Sequence, residues 1–314
     1  MERNYMRFVG ELRELLIASM GLENEQVYYE EKGGKYNCTG DRLFVECGYA
    51  GEEKKTVQVC GLYTRDLFES YCSCENMDKI VHMCVEEIRR AQSTAIIFRG
   101  DDLEDYNKIK DKLFIRLLNA TDHEEELKEI LHRVVGDIAI VVYIFAGEKN
   151  GYIVSTRVKN EMIKKWETDR DAIYETAVLN TYFLNPPRIY FWEKLVFDED
   201  YSGENFMNLM MDYNIEKGIR GNCLSTTRRT NGAAAIFLPG VAKRLAELME
   251  ADLYLVFTSI HEVMVHSAQS VYPEDLKAVL KDTMRTATPP EERLSSYIYY
   301  YDRVTEKITM LSDI

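Results

Sequence analysis

The last third of the chain, from Thr230 to Ile314, constrains the fold most strongly. Its hydrophobic residues change between the two-residue period of strands and the 3.6-residue period of helices, with Pro and Gly near the changes. We interpret this stretch as an ordered series of strands and helices. The series is a strand at Ala233–Phe237, a helix from Pro239, strands at Leu253–Phe257 and Glu262–His266, a helix from Pro273, and a hairpin of Ser296–Tyr301 with Lys307–Leu311.

The middle of the chain contains a strand candidate that is almost wholly apolar, Ile138–Phe145. Such a run is typical of a central strand covered on both faces. Leu113–Leu118 predicts a second strand, and Tyr152–Val154 predicts the hairpin partner of the apolar run. Two helices are expected next, at Thr156–Trp166 and Thr168–Leu179.

The first 92 residues predict a smaller layer. A helix at about Arg3–Met20 is followed by three strand candidates and a helix that ends near Ala91. The strand candidates are Gln26–Glu31, Leu43–Cys47 and Thr56–Tyr63. We therefore expect an α+β protein with a helix–three-stranded meander–helix unit at residues 1–92 and a larger mixed-sheet α+β domain at residues 93–314.

Charge and hydropathy limit the function classes. The net charge is −14, from 53 acidic and 39 basic residues, and such a surface repels nucleic-acid phosphates and anionic membranes. No run of about 18 apolar residues suggests a transmembrane helix. The first helix carries Glu11, Arg13 and Glu14 where a signal peptide needs an apolar core. We expect a cytoplasmic protein that binds neither nucleic acid nor membrane.

The seven cysteines agree with a reducing compartment. Their number is odd, and Cys84 lies on the apolar face of a predicted helix, as expected for a small core residue. Cys72 and Cys74 are the one pair close enough to share a metal, but no second pair follows at zinc-ribbon spacing. We expect no metal and no cofactor.

A polar insertion at about residues 197–231 carries two candidate sites. The first is the only basic cluster worth naming in so acidic a chain, and it suggests an anion or partner contact or, alternatively, solvated loop charge. Its members are Lys217, Arg220, Arg228 and Arg229. The second is a short helix predicted at Asn205–Met211, which would expose an adaptable partner surface of Met207, Met210 and Met211.

The run from His261 to His266 is the nearest approach to a metal motif. Zinc chelation from a helix needs histidines four residues apart, and five residues place them roughly 140° apart around the helix. In a strand, the two positions would point to opposite faces. We therefore expect a structural role. The tyrosine-rich run Tyr297–Tyr301 similarly predicts a half-buried sheet face in preference to a platform for stacking bases.

Four segments of the chain resemble a known family. They are Asp137–Tyr143, Asn231–Gly240, Ser259–Val263 and Ser295–Asp302. Between about Lys112 and Leu311, the chain is similar to the domain of unknown function 5688 family of gut clostridia and their relatives. The resemblance implies no activity, cofactor or catalytic residue.

No nucleophile elbow, P-loop or dinucleotide fingerprint occurs in the sequence. Our leading hypothesis is a non-catalytic interaction or regulatory protein with a protein partner of unknown identity. The alternative is a hydrolase or transferase that uses the basic loop at residues 217–229 on an anionic substrate. That alternative predicts a pocket holding Arg228 or Arg229 beside a titratable group such as His261.

Overall fold

The computed structural model describes residues 2–31, 40–50, 56–92, 103–149, 152–198, 200–210, 213 and 215–312. The chain divides into two compact units. The smaller unit is Met1–Leu103 with Gly147–Tyr152, and the larger is Glu104–Ala146 with Ile153–Ile314.

The smaller unit contains a three-stranded antiparallel sheet and three helices. In chain order these are α1 (Glu2–Met20), β1 (Val27–Glu30), β2 (Arg42–Ala50), β3 (Thr56–Tyr63), α2 (Thr64–Cys74) and α3 (Met77–Gln92). The strands pair in chain order, as the predicted meander requires. The sequence pattern did not indicate α2, because no turn residue separates Tyr63 from Thr64.

The core of the smaller unit joins helix and strand side chains. Phe8, Leu12 and Leu16 of α1 are buried in one cluster with Leu43 of β2 and Cys84 of α3. The predicted apolar stripe of α1 is therefore the buried face of that helix. Cys84 is a core residue, as its position on an apolar helix face predicted, and burial raises the pKa of its thiol to about 12.

The remaining elements lie mostly in the larger unit. The helices are α4 (Tyr106–Ile109), α5 (Glu124–Leu127), α6 (Asn160–Trp166), α7 (Arg170–Leu184), α8 (Trp192–Phe197), α9 (Val241–Met249) and α10 (Pro273–Thr286). The strands are β4 (Leu113–Asn119), β5 (His132–Val135), β6 (Ile138–Lys149), β7 (Tyr152–Arg157), β8 (Pro187–Tyr190), β9 (Asn222–Thr226), β10 (Leu253–Val256), β11 (Val263–Ser267), β12 (Ile298–Asp302) and β13 (Lys307–Leu311). The α+β prediction is confirmed.

Two sheets organise these strands. The first has the order β4–β6–β5, with β7 also paired to β6. The apolar run of β6 is buried from Ile138 to Ile144 and is the central strand, as predicted. The second sheet has six strands in the order β13–β12–β10–β11–β9–β8, and its pairings are antiparallel.

A buried tyrosine links the two sheets. The hydroxyl of Tyr299 on β12 donates to Oδ1 of Asp137 over 2.6 Å and accepts the backbone N–H of Asp137 over 3.0 Å. Asp137 immediately precedes β6. Burial and the neighbouring carboxylate raise the pKa of Tyr299 well above its usual range. Tyr299 and Tyr301 are both buried, so this part of the tyrosine run is sheet core and is more deeply buried than the half-buried face that we predicted.

Three local predictions in the larger unit are wrong. Gly232–Phe237 is a buried 3₁₀ segment and not a strand, and Asn231 starts it in the left-handed conformation. The expected helix at Asn205–Met211 is a succession of turns in its described part. The stretch predicted as a polar insertion contains the strand β9. Its residues Asn222, Ser225 and Thr226 are polar but buried, so their composition conceals the strand.

Within the described residues, no helix is both long and apolar enough to cross a membrane.

Candidate functional site

A cleft of about 710 Å³ opens on one face of the six-stranded sheet, within the larger unit. The strand register pairs Val256 with Met264 and Tyr254 with His266, so these side chains point to the same face. Val256, Met264 and His266 form the floor of the cleft. Helix α10 covers this face over β10 and β12, where Leu276 and Leu280 pack against Val256 in a core cluster. The cleft lies beside α10, above β11.

The two walls of the cleft come from segments that are far apart in the chain. One wall is the flank of α10, with Leu276, Val279 and Leu280. Val279 is 64% exposed and faces the cleft. Ile219 and Arg220, which lie within the predicted insertion, form part of the other wall.

One end of the cleft is polar, and a short loop between β10 and β11 forms it. The loop is fixed from three directions. From β9, the hydroxyl of Ser225 donates to the His261 carbonyl over 2.7 Å. From the 3₁₀ segment, the Ala233 N–H donates to the Ile260 carbonyl over 3.2 Å. The Ile260 N–H in turn donates to the Glu292 carbonyl over 2.9 Å. The polar side chains that line this end are Thr258, Ser259, His261, Glu262, Thr288 and Glu292.

The Glu262 carboxylate is held by hydroxyls of its own loop. Oε1 accepts from Thr258 Oγ1 over 2.9 Å and from Ser259 Oγ over 3.1 Å. Ser259 Oγ in turn accepts the backbone N–H of His261 over 3.0 Å. The carboxylate is therefore oriented before any ligand arrives.

The His261 ring is fixed through both of its nitrogens. Nδ1 accepts the backbone N–H of Asn231 over 3.0 Å, and Nε2 lies 3.2 Å from Oε1 of Glu292. Because Nδ1 accepts, Nε2 carries the hydrogen and donates it to the carboxylate. In this tautomer the ring is neutral and sets the position of Glu292 at the polar end.

His266 occupies the floor of the cleft and is 6% exposed. Burial lowers the pKa of its imidazole to about 4, and a hydrogen bond with the backbone of Ile219 opposes this decrease in part. The ring lies against Gly221, whose φ is +69° and where a Cβ would fall 2.4 Å from Cε1. Within the described residues, Nδ1 of His266 has no hydrogen-bond partner.

The two histidines line the same cleft, although their spacing predicted that they would point to opposite faces. His261 precedes β11 instead of belonging to it, so strand alternation does not separate it from His266, and both line the cleft. In the part of the chain that the structure describes, no three His, Cys, Asp or Glu side chains are grouped as a metal site would require. Cys72 and Cys74 lie two residues apart on α2, roughly 200° apart around the helix.

The basic cluster is split into two parts. Strand β9 separates Arg220 from Arg228, and its five residues span about 13 Å. Lys217 contacts Glu250 over 2.8 Å and Arg220 contacts Glu193 over 3.0 Å, so these cations have acidic partners at the surface.

The other two arginines lie outside the cleft lining. Arg228 lines a separate cavity of about 20 Å³. The guanidinium of Arg229 lies 6.0 Å from the ring centre of Tyr190.

The predicted methionine surface is only partly exposed. Met207 is half-buried, whereas Met210 is 93% exposed beside the exposed Leu209. Met211 lies outside the described residues.

Glu292 and Thr258 were missed as site residues by the sequence reasoning. Glu292 follows a pair of prolines, and only its distance of 3.2 Å from His261 identifies it. The run Ser259–Glu262 offered a signal, since it places a hydroxyl, an imidazole and a carboxylate within four residues. Cys223 on β9 is paired with Met264 and is buried beside it without lining the cleft. It is not an activated thiol, because burial raises its pKa to about 12.

Comparison of the chain with curated proteins and with solved structures found no significant match. A family model matches residues 5–303, which includes the N-terminal unit as well as the segments around the cleft. Because the match covers nearly the whole chain, the protein belongs to the Family of unknown function (DUF5688).

Proposed function

We propose that this chain is a cytoplasmic, non-catalytic interaction or regulatory protein that binds a small ligand in the cleft of its larger unit. The observation that carries the proposal is the cleft itself, at about 710 Å³. Ligand sites are concave, mostly apolar and lined by a few fixed polar groups, with volumes of about 300–1,000 Å³. The cleft has an apolar floor and wall and one polar end.

The bonding at the polar end favours binding over catalysis. A general base needs a ring nitrogen that is available to the substrate, and both nitrogens of His261 are already engaged. The Ser259 hydroxyl donates to Glu262 and does not face an imidazole. The raised thiol pKa of Cys223 keeps that residue protonated at neutral pH.

A protein partner is the second element of the proposal. Met207, Met210 and Met211 remain the proposed partner surface, and the exposure of Met210 supports it. Lys217, Arg220, Arg228 and Arg229 remain a proposed contact for an acidic partner, now as two separate surfaces at the two ends of β9. The thiols of Cys72, Cys74, Cys84 and Cys223, which form no disulfide within the described residues, support a cytoplasmic location.

The test follows the methyl resonance of Met264, which lies in the cleft floor. Protein labelled with ¹³C-methyl methionine is titrated with small amines, alcohols and carboxylic acids that have aromatic or alkyl bodies. We expect saturable shifts of the Met264 signal, assigned with Met264→Leu, and no shift of Met210.

A cleft-filling variant defines the site in this experiment. Val279→Trp places an indole at the cleft and should abolish the shifts. Val304→Trp is the matched control, since Val304 is 85% exposed and does not line the cleft. Absence of any saturable shift, or shifts that survive Val279→Trp, would contradict the proposal.

The second candidate is the hydrolase or transferase acting on an anionic substrate. One observation favours it, because Arg220 and His261 line the same cleft. This second candidate also predicted a pocket that holds Arg228 or Arg229, but neither residue lines the cleft. Recovery of the bound compounds chemically unchanged after incubation with stoichiometric protein would support the binding role, and their conversion would favour the enzyme.

A further inference from the structure

We propose that the cleft selects organic cations, and that its ligand joins a primary amine to an apolar body. This inference rests on the proposed binding function and adds the chemical class of the ligand. The amine would lie between the carboxylates of Glu262 and Glu292, and the apolar body would lie along β11 against α10.

The charges of the cleft lining support a cationic ligand. Three carboxylates line the cleft, those of Glu262, Asp275 and Glu292, against the single guanidinium of Arg220. That guanidinium is 82% exposed and already contacts Glu193, which lies outside the cleft lining. The field inside the cleft is therefore negative, and an anion would find no unopposed positive charge there.

The carboxylates have hydrogen-bonding capacity left for an ammonium group. The bonds from Thr258 and Ser259 both reach Oε1 of Glu262, and His261 contacts Oε1 of Glu292. An ammonium group has three donors and no acceptor, which suits two carboxylates with available oxygens. Both carboxylates are fixed in place, so binding costs little further side-chain entropy.

A second, independent observation comes from His266. This side chain is 6% exposed in the cleft floor, and its Nδ1 is buried without a hydrogen-bond partner in the described chain. Nδ1 lies against Gly221, and a buried polar atom without a partner is destabilising, so a ligand group that reached this atom would be stabilising. His266 lies four residues beyond Glu262 along β11, about 13 Å in an extended strand. A ligand of that length with a terminal hydroxyl or amide could reach both ends.

The apolar body follows from the surface between these ends. Val256, Met264, Leu276, Val279 and Leu280 line the middle of the cleft and present no charged group. A hydrated metal ion or a small polyamine would leave this surface in contact with water, whereas an alkyl or aromatic body would cover it.

The test compares three compounds that share one body, 4-phenylbutylamine, 4-phenylbutan-1-ol and 4-phenylbutanoate. Each is titrated into the intact protein at neutral pH, and its dissociation constant is measured from the Met264 methyl shift. We expect the amine to bind about tenfold more tightly than the alcohol, as one charge-assisted hydrogen bond allows, and the carboxylate to bind most weakly.

Two isosteric variants locate the selectivity. Glu262→Gln and Glu292→Gln should each weaken binding of the amine about tenfold and leave binding of the alcohol unchanged. Glu291→Gln removes the same charge from an exposed neighbour that does not line the cleft, and it should change neither compound. The three-compound series on the unaltered protein tests the selection of cations even if a variant fails to fold.

The outcomes separate this inference from the binding function. Equal binding of the three compounds, abolished by Val279→Trp, would overturn the selection of cations and leave the binding function standing. Preference for the carboxylate would also overturn it and favour the anionic substrate. If none of the three binds, the inference is overturned, and failure of the wider titration set would overturn the binding function as well.

Discussion

The backbone N–H of Asn231 donates to Nδ1 of His261 over 3.0 Å and so joins two segments that lie 30 residues apart in the chain. Asn231 adopts the left-handed conformation, with φ of 54°. The neighbouring Gly232 packs beneath the same loop. The polar end of the cleft therefore depends on the start of the 3₁₀ segment as much as on the loop that carries His261.

Gly232→Ala should destabilise the larger unit. A Cβ at this position would fall 2.0 Å from Oγ of Ser225 and 2.7 Å from the carbonyl oxygen of His261, and the backbone cannot move aside cheaply. We expect a loss of about 2–3 kcal/mol in the free energy of unfolding. Tryptophan fluorescence during urea unfolding is the measurement, because both tryptophans, Trp166 and Trp192, belong to the larger unit.

Gly10→Ala is the control for that substitution. Gly10 lies within helix α1, where an added Cβ meets no atom within 4 Å. Alanine is the better helix former by about 0.5–1 kcal/mol, so this variant should be at least as stable as the unaltered protein. A Gly232→Ala protein as stable as the unaltered protein would contradict the close approach at Gly232.

Tyr299→Phe should weaken the link between the two sheets of the larger unit. The change removes the hydroxyl that donates to Asp137 and leaves the Asp137 N–H without its acceptor. The expected loss is about 1–3 kcal/mol, the range for an unpaired buried polar group. Tyr297→Phe is the control, since this half-buried ring has no described bond through its hydroxyl. Equal stability of the two variants in urea would contradict the prediction.

His266 should make the larger unit less stable in mild acid. Its ordinary pKa is 6.5 and burial lowers it to about 4, so between these values the unfolded chain binds a proton that the folded chain excludes. The free energy of unfolding is unaffected above pH 6.5 and falls as the pH is lowered to 4, by up to about 3 kcal/mol. His266→Asn should flatten this part of the curve.

The control for the pH dependence is His82→Asn, because His82 is exposed on α3. This variant should retain the full decrease between pH 6.5 and 4, followed by tryptophan fluorescence in urea at several pH values. An unchanged slope in His266→Asn would mean that the decrease comes from other groups.

Lys217→Ala and Arg220→Ala should change stability little. Their ion pairs with Glu250 and Glu193 lie at the surface, where water and salt screen the attraction between the charges. The Lys217 ammonium holds the pKa of Glu250 below its usual value, but that carboxylate is fully exposed. Urea unfolding should therefore superimpose on that of the unaltered protein within about 0.5 kcal/mol. A larger loss would reveal a structural role for the segment before β9.

The sequence predicted best where one period was unbroken and long. The run of β6 from Ile138 contains no polar residue that could face water, so burial on both faces was the one arrangement available. Helix α10 has an unambiguous start at Pro273. The strand β9 was missed because Asn222 and Ser225 are buried through hydrogen bonds and not through hydrophobicity.

The candidate site was less accessible from the sequence. The interval between His261 and His266 was interpreted with strand geometry, but β11 begins only at Val263. Alternation therefore did not apply to the first histidine. Nothing in the local pattern connects Glu292 with His261, since their contact joins residues 31 positions apart.

By itself, the sequence determined the alternation of helices and strands, the central strand, the acidic surface and the family. These properties follow from short-range periodicity and composition, because each residue's preference to face core or water is expressed within a few neighbours. The tertiary structure alone decided where the cleft lies and which charges it contains. That outcome depends on strand order and on α10 covering β10 while leaving β11 open, and both are set by packing between segments distant in the chain.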